Sequence, residues 1–278
     1  VTAANTALAL IEEYNNGDGT TTLANGATTL TVADYEAVGV SGVDATAGSD
    51  NLAAVNAQVL LAATGGADSV AKIQALVTDG NNAIDYLTTT VQPLTNTTGA
   101  LDETAQLAAY AAAGVTGVTA ENLLAVNAQL RLETTADNKD SVSDIQTLVT
   151  AANTALTKIE TFAQGDTALS VADYLAVGVS GVDDTAGSDN LAAVNAQVLL
   201  AATDGANSVA EIQALVTAGN NAIDYLTTTV QPLTTAPAAG SEGSGEISVD
   251  DQLAAYSAAG VSGVSAANLL AVNAQLGL

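Results

Sequence analysis

The stretch Tyr35-Glu-Ala-Val-Gly-Val-Ser-Gly-Val43 decides the fold, because it returns as Tyr110 to Val118, Tyr174 to Val182 and Tyr256 to Val264. All copies share the skeleton Y-x-A-x-G-V-x-G-V. A second block follows each one: Asn51-Leu-Ala-Ala-Val-Asn-Ala-Gln-Val59, then Asn122 to Leu130, Asn190 to Val198 and Asn268 to Leu276. Measured between the tyrosines, the spacings are 110 − 35 = 75, 174 − 110 = 64 and 256 − 174 = 82 residues. Such self-similarity is the mark of a tandem array, and it outranks any domain count taken from length alone. The first and third copies share a longer insert, Asp44 to Asp50 and Asp183 to Asp189, so an ancestral pair was duplicated.

Within each copy the apolar residues recur at helical spacing. Val70, Ile73, Val77, Ile84 and Leu87 fall on one face, as do Val142, Ile145, Val149, Ala152, Leu156 and Ile159. Shorter runs, Val32-Tyr35-Val38 and Leu52-Val55-Val59, give two further amphipathic segments. The expected fold class is therefore all-α, a tandem array of small three-helix bundles. Residues 1–15 read as the second half of a third helix, because Val1 to Glu12 nearly repeats Val149 to Glu160. Residues 30–95, 101–163 and 169–234 are the complete modules, and 247–278 is a partial one with two helices. Two explanations of the ends stay open: a portion of a longer array, or a subunit whose first helix docks into the fourth module of the next copy.

Boundary signals agree with helices. Thr31 with Asp34, Ser141 with Asp144, Ser170 with Asp173, Ser208 with Glu211 and Ser248 with Asp251 have capping-box spacing. Gly39, Gly114, Gly178 and Gly260 stand where a left-handed residue would end the first helix, and Pro93 and Pro232 where the third would stop. Between modules the chain is rich in Gly and Thr. One such stretch, Thr20 to Leu30 around Asn25-Gly26, reads either as a short β-hairpin or as an unpaired linker.

Composition narrows the chemistry. In 278 residues there are 30 acidic and 4 basic side chains, a net charge of −26, and no Cys, His, Met or Trp. Disulfides, thiolate metal sites, imidazole ligands and His-based catalytic triads are all excluded. Lys72, Arg131, Lys139 and Lys158 are too few and too scattered to neutralise nucleic-acid phosphates, and an anionic membrane would repel the chain. No stretch is apolar enough to insert into a membrane.

Asn56, Asn127, Asn195 and Asn273 sit beside apolar positions in the second helix. They read as buried register-setting residues bonded to a neighbouring loop carbonyl or amide. Tyr35, Tyr110, Tyr174 and Tyr256 read as core residues whose hydroxyls reach the surface. Tyr86 and Tyr225 lie off the apolar stripe and are the surface candidates for recognition. The acids lie at helix starts and in loops, where they cap and solubilise, so the expectation is a protein that is not an enzyme. No cofactor is expected, and calcium is the one metal with candidate ligands. Asp18, Asp166, Asp183, Asp184 and Asp189, with Gly240 to Glu246, read either as oxygen ligands or as solvated turns. Asn96-Thr-Thr98 matches the glycosylation sequon.

The motifs Ala33-Asp34-Tyr35, Gly39-Val-Ser-Gly-Val43 and Asn51-Leu-Ala-Ala-Val-Asn56 resemble the Ala/Thr/Asp-rich repeat regions of giant bacterial surface and secreted adhesins. Each module is also distantly similar to three-helix GA modules, through Tyr35, Gly39-Val40, Asn51-Leu52 and Val70-Ala-Lys-Ile73. Loop lengths and the scarcity of basic and aromatic surface groups depart from those modules, so albumin binding is not carried over. The adhesin resemblance implies a bacterial, extracellular or cell-surface array acting as a spacer or filament-forming segment. Its partners would be copies of itself or further modules of the same chain. The alternative is a binding array that recognises a surface protein or glycan through exposed helix faces.

Overall fold

The computed structural model describes residues 2–91, 102–163, 165–201, 205–230 and 247–276. Among these, all regular structure is helical. Two compact units divide the chain, Val1–Asn153 and Thr154–Leu278. The first contains α1 (Thr2–Asn15), α2 (Val32–Val38), α3 (Leu52–Leu61), α4 (Val70–Tyr86), α5 (Glu103–Ala112), α6 (Leu123–Leu132) and most of α7 (Val142–Glu160), which runs on into the second. The second unit continues with α8 (Val171–Ala176), α9 (Leu191–Leu200), α10 (Val209–Tyr225), α11 (Val249–Ala258) and α12 (Leu269–Leu276).

Local chemistry sets the helix ends. At the start of α10 the Ser208 hydroxyl accepts from the Glu211 amide, and the Glu211 carboxylate accepts from the Ser208 amide, a complete reciprocal cap. Asp34 and Asp173 likewise take the amide and hydroxyl of Thr31 and Ser170. After the first helix of each copy, Gly39, Gly114, Gly178 and Gly260 adopt φ of +70° to +87°. The following valine amides then reach back to the carbonyls of Tyr35, Tyr110, Tyr174 and Tyr256 at 2.9–3.0 Å. An L side chain is strained in that conformation, which is why glycine occupies it.

In the first unit α1 lies on α2 and α3, α3 packs along α4, and α5 closes against α3 and α4. Ile11, Tyr35, Val55, Val59, Ile73 and Val77 form the core there. Each such aliphatic side chain, fully buried, contributes about 1.5–3 kcal/mol. In the second unit α9 packs along α10, and α11 rests on α9 and α10. Both α4 and α10 widen into a five-residue π turn, Leu87–Val91 and Leu226–Val230. Thr88 and Thr89 donate to the Asp85 carbonyl, and Thr227 and Thr228 to that of Asp224, loosening the ordinary ladder at that point. Leu87, Val91, Leu226 and Val230 stay buried through the turn. Pro93 and Pro232, expected as helix stops, lie outside the described residues, as do Asn96-Thr-Thr98 and Gly240 to Glu246.

The β-hairpin reading of Thr20 to Leu30 is corrected, since no strand occurs among the described residues. A turn does form: the Leu23 amide donates to the Ala27 carbonyl at 2.7 Å, and Asn25 accepts from the Ala27 amide. The flanking residues do not pair, because Leu23 and Leu30 are drawn into the core at 4% and 1% exposure. Burying two leucines outweighs the marginal gain of a lone two-stranded ribbon.

Candidate functional site

Polar clamps recur inside the helical packing, and they join the residues singled out in the sequence to others that were not. Each marker tyrosine is buried, and its hydroxyl donates inward to an asparagine: Tyr35 to Asn56, Tyr110 to Asn127, Tyr174 to Asn195 and Tyr256 to Asn273, all at 2.6–2.7 Å. The expected outward hydroxyl is therefore corrected. A phenol facing an apolar core needs a partner, and the asparagine one helix away supplies it. The asparagine amide then donates to the Leu30 or Leu169 carbonyl, or to the side chain of Gln106 or Gln252. Burial raises the pKa of all four phenols.

A second clamp starts at the residue preceding each second helix. Asn51, Asn122 and Asn190 each accept from a loop amide and donate to the carbonyl of Gly42, Gly117 or Gly181. Each also donates at 2.6–2.7 Å to a second asparagine on the third helix: Asn81, Asn153 or Asn220. Seven residues earlier on the same helix stands a glutamine. Gln74 accepts from the Ser41 amide at 3.1 Å and donates to the Ser41 carbonyl at 2.9 Å, and Gln146 on Thr116 and Gln213 on Ser180 repeat both bonds. A primary amide reading both the N–H and the C=O of one residue fixes the helix in register as well as position.

A third contact joins successive copies within a unit. Gln58 donates to the Ala112 carbonyl at 2.8 Å, and Gln197 to that of Ala258 at 2.7 Å. Beside these bonds Gly114 and Gly260 approach Ala53 and Ala192 so closely that a Cβ would lie 2.4 and 2.3 Å from backbone atoms. The insert of the first copy adds a cap to α7: the Asp50 carbonyl accepts from the Val142 amide at 3.1 Å, and its carboxylate accepts from the Ser143 hydroxyl.

Four of the five calcium candidates accept hydrogen bonds within their own turns. Asp18 accepts from the Thr20 and Thr21 amides, which holds its carboxyl well below the usual range. Asp183 accepts from the Ser188 hydroxyl and the Thr185 amide, pulling its pKa down to about 2. Asp166 accepts from the Ala163 amide, Asp189 from the Leu191 amide, and Asp184 is exposed. Among the described residues no three acids converge to hold a metal ion. The basic residues are local too: Lys72 pairs with Asp68 at 2.8 Å, Lys158 with Asp173 at 2.5 Å, and Lys139 donates to the Glu133 carbonyl.

Two grooves were not legible in sequence. One of about 860 Å³ runs between α1 and the segment from Ala24 to Asp34; there Glu13 accepts from the Ala24 amide and Asp34 caps α2. The other, about 680 Å³, lies between α10 and α11 and includes Tyr225, 40% exposed. Tyr86 is similarly half-exposed, on α4.

Sequence reasoning missed Gln74, Gln146 and Gln213, although their Ile-Gln context and the asparagine seven residues on recur in every third helix. No helix is long and apolar enough to cross a membrane among the described residues. No family model matches the chain, and no curated protein or solved structure matches it.

Proposed function

We propose that the chain is a non-enzymatic, extracellular structural array of three-helix modules, a spacer or filament-forming segment of a bacterial surface appendage. The observation that carries this reading is the recurrence of one assembly rule. Every complete copy locks its third helix with the same glutamine and asparagine clamps, and within each unit the next copy seats its glycine on the second helix of the previous one. Polar groups that in an enzyme would face a substrate are used here to hold helices in register. The net charge of −26 suits a repeated surface that must stay soluble and keep neighbouring chains apart.

Atomic-force extension of the chain between its ends tests the proposal. Spacings of 64 to 82 residues between copies predict successive unfolding steps, each releasing roughly 20–30 nm of chain. A single rupture that releases the whole length at once contradicts a modular spacer. The exposed Tyr86 and the grooved Tyr225 favour a second reading, an array that binds a surface protein or glycan. Replacing both with serine then abolishes capture of that ligand, whereas a pure spacer captures nothing in either form.

A further inference from the structure

We infer that the groove between α10 and α11 seats a lysine side chain of a basic protein partner, its ammonium received by the Tyr225 ring and the Asp251 carboxylate. The inference rests on the second reading above, a binding array, and names the chemistry of the ligand.

The repeat itself shows what this place accepts. Counted from the isoleucine before the clamp glutamine, Tyr225 on α10 and Lys158 on α7 hold the same position, 225 − 212 = 13 and 158 − 145 = 13 residues on. Ala255 on α11 and Asp173 on α8 also correspond, each one residue before the marker tyrosine. Both positions stand where a third helix meets the first helix of the next copy. Lys158 and Asp173, both within the second unit, close that place from inside the chain. The ammonium donates to the carboxylate at 2.5 Å, and the Asp173 side chain is only 19% exposed. Where the pair is Tyr225 and Ala255, the same place is an open groove of about 680 Å³. Tyr86 and Ala109 repeat the open pair on α4 and α5.

The open groove keeps what an ammonium needs. Ala222, Ala255 and Ala258 give it a small apolar lining along which the four-carbon stem of a lysine can lie. Tyr225, 40% exposed, offers ring surface to the cation. Asp251 lines the groove one helical turn before Ala255, and so on the same face of its helix as the position that Asp173 takes in the third copy. Ser248 donates to its Oδ2 and leaves Oδ1 for a ligand. The exposed Asn221 adds an amide carbonyl beside Tyr225. A neutral sugar would also use a ring and an amide, but the acid in the wall and the −26 charge of the chain select a cation.

The test is a titration of the full isotope-labelled chain with Nα-acetyl-lysine methylamide, followed by amide chemical shifts. It is run in about 0.15 M NaCl, where exposed charges are screened beyond about 8 Å. Saturable shifts at Asn221, Tyr225 and Asp251 are expected, and none with the neutral probe acetylated at Nζ. Tyr225→Leu keeps apolar bulk without the aromatic face and should weaken binding about three- to tenfold. Asp251→Asn keeps an acceptor for Ser248 without the charge and should weaken it likewise. Both positions are exposed, and unchanged helical circular dichroism checks that the variants fold. No saturable shift at the groove, shifts spread evenly over the acids of the chain, an equal response to the neutral probe, or indifference to Tyr225→Leu overturns the proposal. Shifts of the same three residues with methyl glucoside and none with the lysine probe would overturn the ammonium while leaving the binding reading in place.

Discussion

Replacing Gly114 with alanine tests how successive copies are joined, and Gly39→Ala supplies an internal control. Both glycines end the first helix of their copy with positive φ, +70° and +87°. An alanine in that left-handed region costs about 1–2 kcal/mol wherever it stands. The surroundings differ. A Cβ on Gly39 meets nothing within 4 Å, whereas on Gly114 it would lie 2.4 Å from the Ala53 carbonyl carbon, 2.5 Å from its oxygen and 2.6 Å from the Ala54 nitrogen. Those are backbone atoms of a packed helix and cannot swing aside, so α5 must lift away from α3. Overpacking of that kind costs about a further 1–3 kcal/mol, and the same movement stretches the Gln58 bond to Ala112. Urea unfolding followed by circular dichroism should therefore show Gly39→Ala losing about 1–2 kcal/mol and Gly114→Ala about 2–5 kcal/mol. Native-state hydrogen exchange of Gly114→Ala should show the excess loss of protection in α5 and the start of α3. Equal losses in the two variants would refute the close-approach argument and leave backbone strain as the only role of Gly114.

Three further outcomes are expected. Tyr174→Phe removes the donor to a buried Asn195 oxygen and should cost about 1–3 kcal/mol by urea unfolding, while an unchanged midpoint would show that the pair adds nothing. Burial raises the phenol pKa of Tyr35, Tyr110 and Tyr174 above the unfolded value of about 10, so their stabilisation is complete below that pH and is lost as pH climbs toward the folded values. Absorbance at the tyrosinate band should then rise together with helix loss, and ionisation of the buried tyrosines in an intact fold would contradict the burial. Because the chain carries −26, its melting temperature should climb with NaCl as screening lengths fall to about 10 Å at 0.1 M, and calcium and magnesium should act alike at equal ionic strength. A calcium-selective rise would mean that the carboxylates build a site absent from the described residues.

The helices and their ends could be read from the chain because their causes are local. Helical spacing of Val, Ile and Leu, a Ser or Thr three residues before an acid, and a glycine before valine all act within one or two turns. The hairpin between Thr20 and Leu30 shows where local reading stops. The turn at Asn25-Gly26 formed, but whether its flanks pair depended on a core that could take Leu23 and Leu30. The tyrosines show the same limit. Their place on the apolar stripe was visible, while the inward direction of the hydroxyl required Asn56, Asn127, Asn195 or Asn273 on another helix.

By itself the sequence determined that this protein is helical, repeated, strongly acidic and without imidazole or thiol chemistry, because periodicity and composition need no partner to act. Only the tertiary structure decided which polar residues meet. Gln74 and Ser41 are separated by 33 residues, and Asn51 and Asn81 by 30. It also decided which glycine ends a helix in open space and which lies against another helix, since Gly39 and Gly114 occupy the same place in the repeat and differ only in what packs beside them.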